Sequence, residues 1–307
     1  YCLPNRLNQP TICGNFRTTF KEAGIMLKRL FSSTKRPYIP GINSPENITV
    51  DLSGSTLSFK LLPNQDFEGF GERVAPVSTL NAYNTQAFEH DLYGLFSNQS
   101  MYSRRWELYG VLWDPQPIGS IRANAHLMRA DTLPDGMSCL NPSQFEQVIN
   151  RYLFNHGPEQ PEYGVRVAPV NWQVYKTHDT PWVYCEERDK NQVDEVAWHA
   201  FAFAPLDDEL FVLATFYCIN SDQKDVINEH FRSIIRRVIS TFDLKYRPEV
   251  QAKILRLQSK TKRWAYTEQR DPEDWVYPWA WHRGSREHGQ PPIIVTEPGT
   301  PAPTYTK

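Results

Sequence analysis

The residues of this chain best suited to covalent chemistry are His199, Cys185 and Cys218, because an imidazole beside a thiol can generate a thiolate nucleophile. All three lie in β-rich runs, where adjacent strands can bring distant positions within reach. Such a site would serve a hydrolase with a dispersed His/Cys pair. The surroundings favour a quieter role. His199 sits between Trp198 and Phe201, the setting of a half-buried histidine, and a strand cysteine usually behaves as a small buried hydrophobe. The five cysteines show no CxxC pair, and the chain carries no HExxH, no GxSxG elbow, no Walker loop and no GxGxxG. No metal site and no cofactor follows from these patterns. A disulfide between Cys185 and Cys218 would require an oxidising compartment, and the sequence leaves that pairing open.

Two constellations suit binding better than catalysis. The first is the acidic run Cys185-Glu186-Glu187-Arg188-Asp189-Lys190, in which Glu186, Glu187 and Asp189 could hold a cation or a basic partner. Runs of this kind usually form solvated hairpin turns. Asp207-Asp208-Glu209 would make a second acidic rim at the next turn. The other constellation is aromatic: Trp264, Tyr266, Trp275, Tyr277, Trp279 and Trp281 are interleaved with Lys262, Arg263, Arg270, His282 and Arg283. Disordered linkers contain few aromatics, so this stretch is expected to pack, either on its own acidic body or in a partner as an interface anchor. A strip for stacking sugars or nucleobases is a further alternative.

The elements that must position these groups read as follows. Residues 1–45 form a basic lead-in whose segment Thr19 to Phe31 is amphipathic, with Phe20, Ile25, Leu27, Leu30 and Phe31 among Lys21, Lys28 and Arg29. It could be a surface helix docked on the body or a helix lying on a membrane. Ile48 to Leu61 alternates around Gly54 as opening strands, and Asp114-Pro115-Gln116-Pro117 turns a hairpin between Trp106–Trp113 and Ile118–Met128. Asn141-Pro142 caps a helix carrying Phe145, Val148, Ile149, Tyr152 and Leu153 at helical spacing. Tyr163–Val167, Asn171–Lys176 and Trp182–Glu186 follow as strands, separated by Ala168-Pro169 and Asp179-Thr180-Pro181.

Val196 to Phe203 and Leu210 to Cys218 make a hairpin that is apolar on both faces, which places it centrally in a sheet covered on each side. A helix from about Asp222 to Ser240 buries Val226, Ile227, Phe231, Ile234, Ile235, Val238 and Ile239, and Pro248 to Ser259 forms a shorter one. The body, residues 46–245, is either one α+β unit or two similar halves. Residues 246–307 are a Trp- and Pro-rich tail, extended at its end.

Composition narrows the function classes. The chain of 307 residues is 40% hydrophobic and 13% aromatic, enough for a sizeable core. No window reaches the roughly 20 apolar residues of a membrane-spanning helix. Residues 1–40 carry seven basic and one acidic side chain, residues 41–244 carry 15 and 27, and residues 245–307 carry 11 and 7. An acidic body between basic ends argues against nucleic acid as the partner and for another protein, basic in character. Cys2 is a candidate lipid anchor of a bacterial envelope protein.

The pair Trp198–Phe203 and Phe211–Cys218, followed by a helix with Phe231 and Ile234-Ile235 that closes on Ile239-Ser240-Thr241-Phe242, resembles the PsbP-like and DcrB-like fold over roughly residues 160–245. The resemblance implies an α/β/α sandwich with an antiparallel sheet flanked by helices. It implies partners in place of substrates: assembly factors, envelope lipoproteins and secretion chaperones work through surfaces. It assigns no functional residue. The expectation is a non-catalytic protein-binding module of the bacterial envelope, periplasm or a secretion system, with an immunity, chaperone or assembly role.

Overall fold

The computed structural model describes residues 29–65, 75–91, 94–155, 165–189, 196–261 and 264–276. Its frame is an eight-stranded antiparallel sheet. The centre is the apolar hairpin of β9 (Ala197–Pro205) and β10 (Leu210–Asn220), in register from Ala197 opposite Ile219 to Pro205 opposite Phe211. On the β10 side lie β6 (Pro117–Ala130), β5 (Phe96–Tyr109) and the short β4 (Glu89–His90). On the β9 side lie β8 (Thr180–Asp189), β7 (Val165–Thr177) and β12 (Glu273–Val276) at the edge.

A second sheet of four strands joins β11 (Asp243–Lys245), β2 (Ser55–Leu61), β1 (Glu46–Leu52) and β3 (Thr79–Leu80); only its β1–β3 pairing is parallel. Ser53 and Gly54 turn β1 into β2 with φ of 54° and 93°, the left-handed conformation a two-residue hairpin needs.

Side-chain alternation in the central hairpin divides the core. Ala200, Ala202, Ala204 and Ala214 fall on one face, where small side chains let a second layer approach; their cluster includes Val50, Leu57 and Phe59 of the second sheet and Ile227, Phe231 and Ile235 of α2 (Asp225–Ile239). Phe201, Phe203, Phe211 and Leu213 point the other way and meet Phe145, Val148, Ile149 and Leu153 of α1 (Pro142–Asn155). The expectation of apolar cover on both faces holds.

Local chemistry sets the helix ends. Asn141 Oδ1 accepts from the Ser143 amide and hydroxyl, its carbonyl accepts the first helical bond from Phe145 N, and Pro142 takes the first position where no amide is needed. At the end of α2, Thr241 Oγ1 bonds Val238 O and accepts from Lys60 N at 2.9 Å, tying the helix to β2. Phe242 then packs on Trp182 with ring centroids 4.7 Å apart.

Several expectations change in three dimensions. Ala168-Pro169 does not separate two strands; β7 runs through it, and the pairing with β8 slips twice, between Val167 and Val170 and between Val170 and Gln173. A proline has no amide to give the ladder, so it is accommodated at such an irregularity. The β5 strand begins at Phe96, ten residues before the expected Trp106. Cys185 to Asp189 continue β8 and form no solvated turn. Of the expected lead-in helix, residues 19–28 lie outside the described residues, as do Cys2 and Cys13.

Candidate functional site

Only part of the aromatic tail belongs to the described residues, and that part is docked. Thr267 donates from its amide and its hydroxyl to the two carboxylate oxygens of Glu146 on α1, at 2.5 and 2.7 Å, and its carbonyl accepts from Trp172 Nε1 at 2.8 Å. Arg270 bonds Asn150 Oδ1 at 2.7 Å and lies 4.9 Å over the Trp172 ring. Burial raises the pKa of Glu146 against the lowering effect of these bonds. Trp275 sits in β12 opposite Arg166 on β7. Residues 264–276 are thus bound to the body through α1 and β7. Tyr277, Trp279 and Trp281 lie outside the described residues.

The acidic residues turn inward. Glu186 is buried and accepts from Arg232 Nε and Nη2 at 3.0–3.2 Å, from Tyr184 OH at 2.7 Å and from Asn171 Nδ2 at 2.9 Å. Arg232 in turn stacks 5.0 Å over Trp198. This carboxylate is fully engaged in joining α2 to the sheet and offers no free oxygen to a partner. Glu187, on the opposite face, is also buried. Asp189 ends β8 opposite Arg166. The expected rim at the β9–β10 turn closes on itself too: Asp207 is held by Tyr83 OH at 2.6 Å, Lys253 Nζ at 2.6 Å and Arg247 Nη2 at 3.1 Å. Lys253 also reaches Asp208, and Arg247 lies 4.4 Å over the Tyr83 ring. Burial pushes the Asp207 pKa up, but the bonds from Lys253, Tyr83 and the Asp208 amide outweigh it, and the net shift is downward.

The strand register separates the proposed nucleophiles. Cys218 pairs with Trp198 and belongs to the face carrying α2, whereas His199 belongs to the opposite face, stacked 4.7 Å from Tyr217. A His199–Cys218 pair is therefore excluded by the sheet itself. Cys185 shares the His199 face, but burial pushes its thiol pKa up, which disfavours the thiolate. Cys139, Cys185 and Cys218 are all free and buried, and the Cys185–Cys218 disulfide does not form across the sheet.

What the structure does assemble is a cleft of about 730 Å³. One wall is α3 (Pro248–Lys260), which contributes Gln251, Ile254, Leu255 and Gln258. The facing wall is the β7–β8 turn, His178 to Pro181. Trp264 and Tyr266 enter from the tail, and Leu244 to Tyr246 and Pro205 line the cleft further. Tyr246 donates to Pro205 O at 2.9 Å and Thr180 to Leu244 O at 2.8 Å, so the polar groups at the base are already satisfied. Burial raises the phenol pKa values of Tyr246 and Tyr266, and both stay neutral.

α3 buries only Val250, and Leu255 is 59% exposed at the cleft rim. The Asp207–Lys253–Arg247 node fastens this helix to the sheet. Of the aromatic residues singled out in the sequence, Trp264 and Tyr266 belong to this cleft. The helix itself was expected over Pro248 to Ser259 and is present; its role as a cleft wall and the node were not read from the sequence, although Ile254-Leu255 among polar neighbours was an available signal for the wall.

Among the described residues no helix is long and apolar enough to cross a membrane, and no group of three or more His, Cys, Asp or Glu could hold a metal ion. No family model matches the chain, and no curated protein matches it. A solved structure from Bacteroides thetaiotaomicron VPI-5482 is similar at 9% identity and a TM-score of 0.22. That similarity covers 51% of this chain and spans about half, 47%, of the other.

Proposed function

We propose that this protein is a non-catalytic protein-binding module that holds a polypeptide segment of its partner in the cleft between α3 and the tail. The observation that carries this reading is the composition of the cleft. Trp264, Ile254, Leu255 and the flanking prolines give the cleft an apolar part of a size that accepts a few side chains, beside the polar Gln251, Gln258, Asp243 and Lys245, and the Tyr246 and Thr180 hydroxyls are internally bonded. A surface of that kind gains by covering apolar area and by seating an anchor side chain next to the half-buried Trp264. The net charge of −12 over residues 41–244 favours a partner that is basic around its apolar anchor.

The wider setting belongs to the same proposal. A bacterial envelope or secretion-associated role, as immunity protein, chaperone or assembly factor, follows from the resemblance to the PsbP-like and DcrB-like fold. Helices flanking the sheet as in a sandwich agree with α1 and α2 contributing to cores on opposite faces.

A random peptide library panned on the full chain tests the reading. Enriched peptides should carry an apolar or aromatic anchor with basic neighbours and should lose at least about tenfold in affinity to Trp264→Ala and Leu255→Glu. Peptides that bind both variants as well as the unaltered protein, or a library from which nothing is enriched, would refute it.

A further inference from the structure

The two most exposed large apolar side chains of the described residues, Trp113 and Phe31, belong to the tip of the β5–β6 hairpin and the strap beside it. Trp113 is 84% exposed in the turn, and Phe31 and Leu30 are 83% and 54% exposed on the strap that lies along it. The strap is fixed there. Arg29 donates to Val111 O at 2.8 Å and also to Asp114 O, and its guanidinium lies 4.8 Å from the centre of the Tyr109 ring. Ser32 donates to Gly110 O, and Tyr38 and Tyr109 exchange backbone bonds of 2.9 Å.

These bonds hold the segment of Leu30 and Phe31 beside the turn of Trp113, so the three exposed apolar residues share a braced support. Beyond them Ser33 and Arg36 close a turn that presents Lys35 and Arg36 to solvent. The exposed acidic side chain at the tip is Asp114, whose carboxylate accepts from Gln116 N.

We propose that this tip docks the protein on the surface of an anionic lipid bilayer. Exposed Trp and Phe beside Lys and Arg is the combination that a membrane interface rewards: the rings enter the headgroup boundary while the cations meet lipid phosphates. The charge distribution points the same way. Of the described residues 29–40, Arg29, Lys35 and Arg36 are basic and none is acidic, so a negative surface attracts this end. The site is separate from the α3 cleft, and its failure would leave the binding reading there untouched.

Cosedimentation of the full chain with phosphatidylglycerol–phosphatidylcholine vesicles, against phosphatidylcholine alone, tests it, with tryptophan emission followed in parallel. Anionic vesicles should bind the protein and shift emission to the blue. Lys35→Gln and Arg36→Gln should each weaken binding about fivefold, equivalent to about 1 kcal/mol per charge, and raised salt should act in the same direction. Trp113→Ala with Phe31→Ala should abolish it; both side chains are solvent-exposed, and an unchanged circular dichroism spectrum would verify folding. No binding to anionic vesicles, or binding that these variants leave intact, overturns the proposal. So does a concentration-dependent dimer that the double variant dissolves, without vesicle binding, which would assign the patch to a second copy of the chain.

Discussion

Replacing Asp207 tests how α3 is held as a wall of the cleft. Its carboxylate is 5% exposed and accepts from Tyr83, Lys253 and Arg247. Hydrogen bonds to charged groups are worth about 1.5–3 kcal/mol each when fully buried. The partners here are not fully buried: Lys253 and Arg247 side chains are 32% and 26% exposed, and Lys253 keeps Asp208 at 2.7 Å. Each can recover hydration, so Asp207→Ala should cost about 3 kcal/mol in total, at the low end of what removing one partner of a buried charge network costs.

Asp207→Asn keeps an acceptor but loses the charge and should cost about 2 kcal/mol. Urea unfolding at neutral pH measures both. The sign of the pH dependence follows from the lowered Asp207 pKa: the stabilisation is complete above the unfolded value of 3.8 and is lost as pH falls through the lower folded value. The gap between the unaltered protein and Asp207→Asn should therefore close on acidification. Lys253 is shifted upward by Asp207 and Asp208, so its share persists below its usual 10.5 and disappears as pH rises through the folded value. A loss under about 1 kcal/mol for Asp207→Ala, or a gap that stays constant down to about pH 3, would refute this account of the node.

Two further outcomes follow from packing. A Cβ added at Gly119 would lie 2.6 Å from the Phe231 ring and 2.9 Å from the Ile219 carbonyl, so Gly119→Ala should destabilise by about 1–3 kcal/mol through overpacking between β6 and α2; an unchanged melting temperature would contradict the close approach. Thiol labelling with mass mapping at mildly alkaline pH should leave Cys139, Cys185 and Cys218 unmodified until denaturant is added, since burial raises all three pKa values. Rapid native labelling of Cys185 would reopen the possibility of a nucleophile beside His199.

Where short-range rules dominate, the sequence was sufficient. Asn141-Pro142 starts α1 because a cap and a missing amide are local facts, alternation around Gly54 marks the opening strands, and the two-faced apolar pattern of β9 and β10 puts them at the centre of a covered sheet. Periodicity also identified the buried stripe of α2.

Tertiary structure decided the fate of the charges. Glu186 reads as part of a solvated acidic run, yet its strand parity points it at Arg232, 46 residues away, and Asp207 meets Tyr83 across 124 residues. Parity likewise placed Cys218 and His199 on opposite faces, a distinction invisible without the register of β9 and β10. The cleft belongs wholly to this second category. Its walls come from β7–β8, β11, α3 and the tail, and what makes it a cleft is the juxtaposition of segments that no local pattern links.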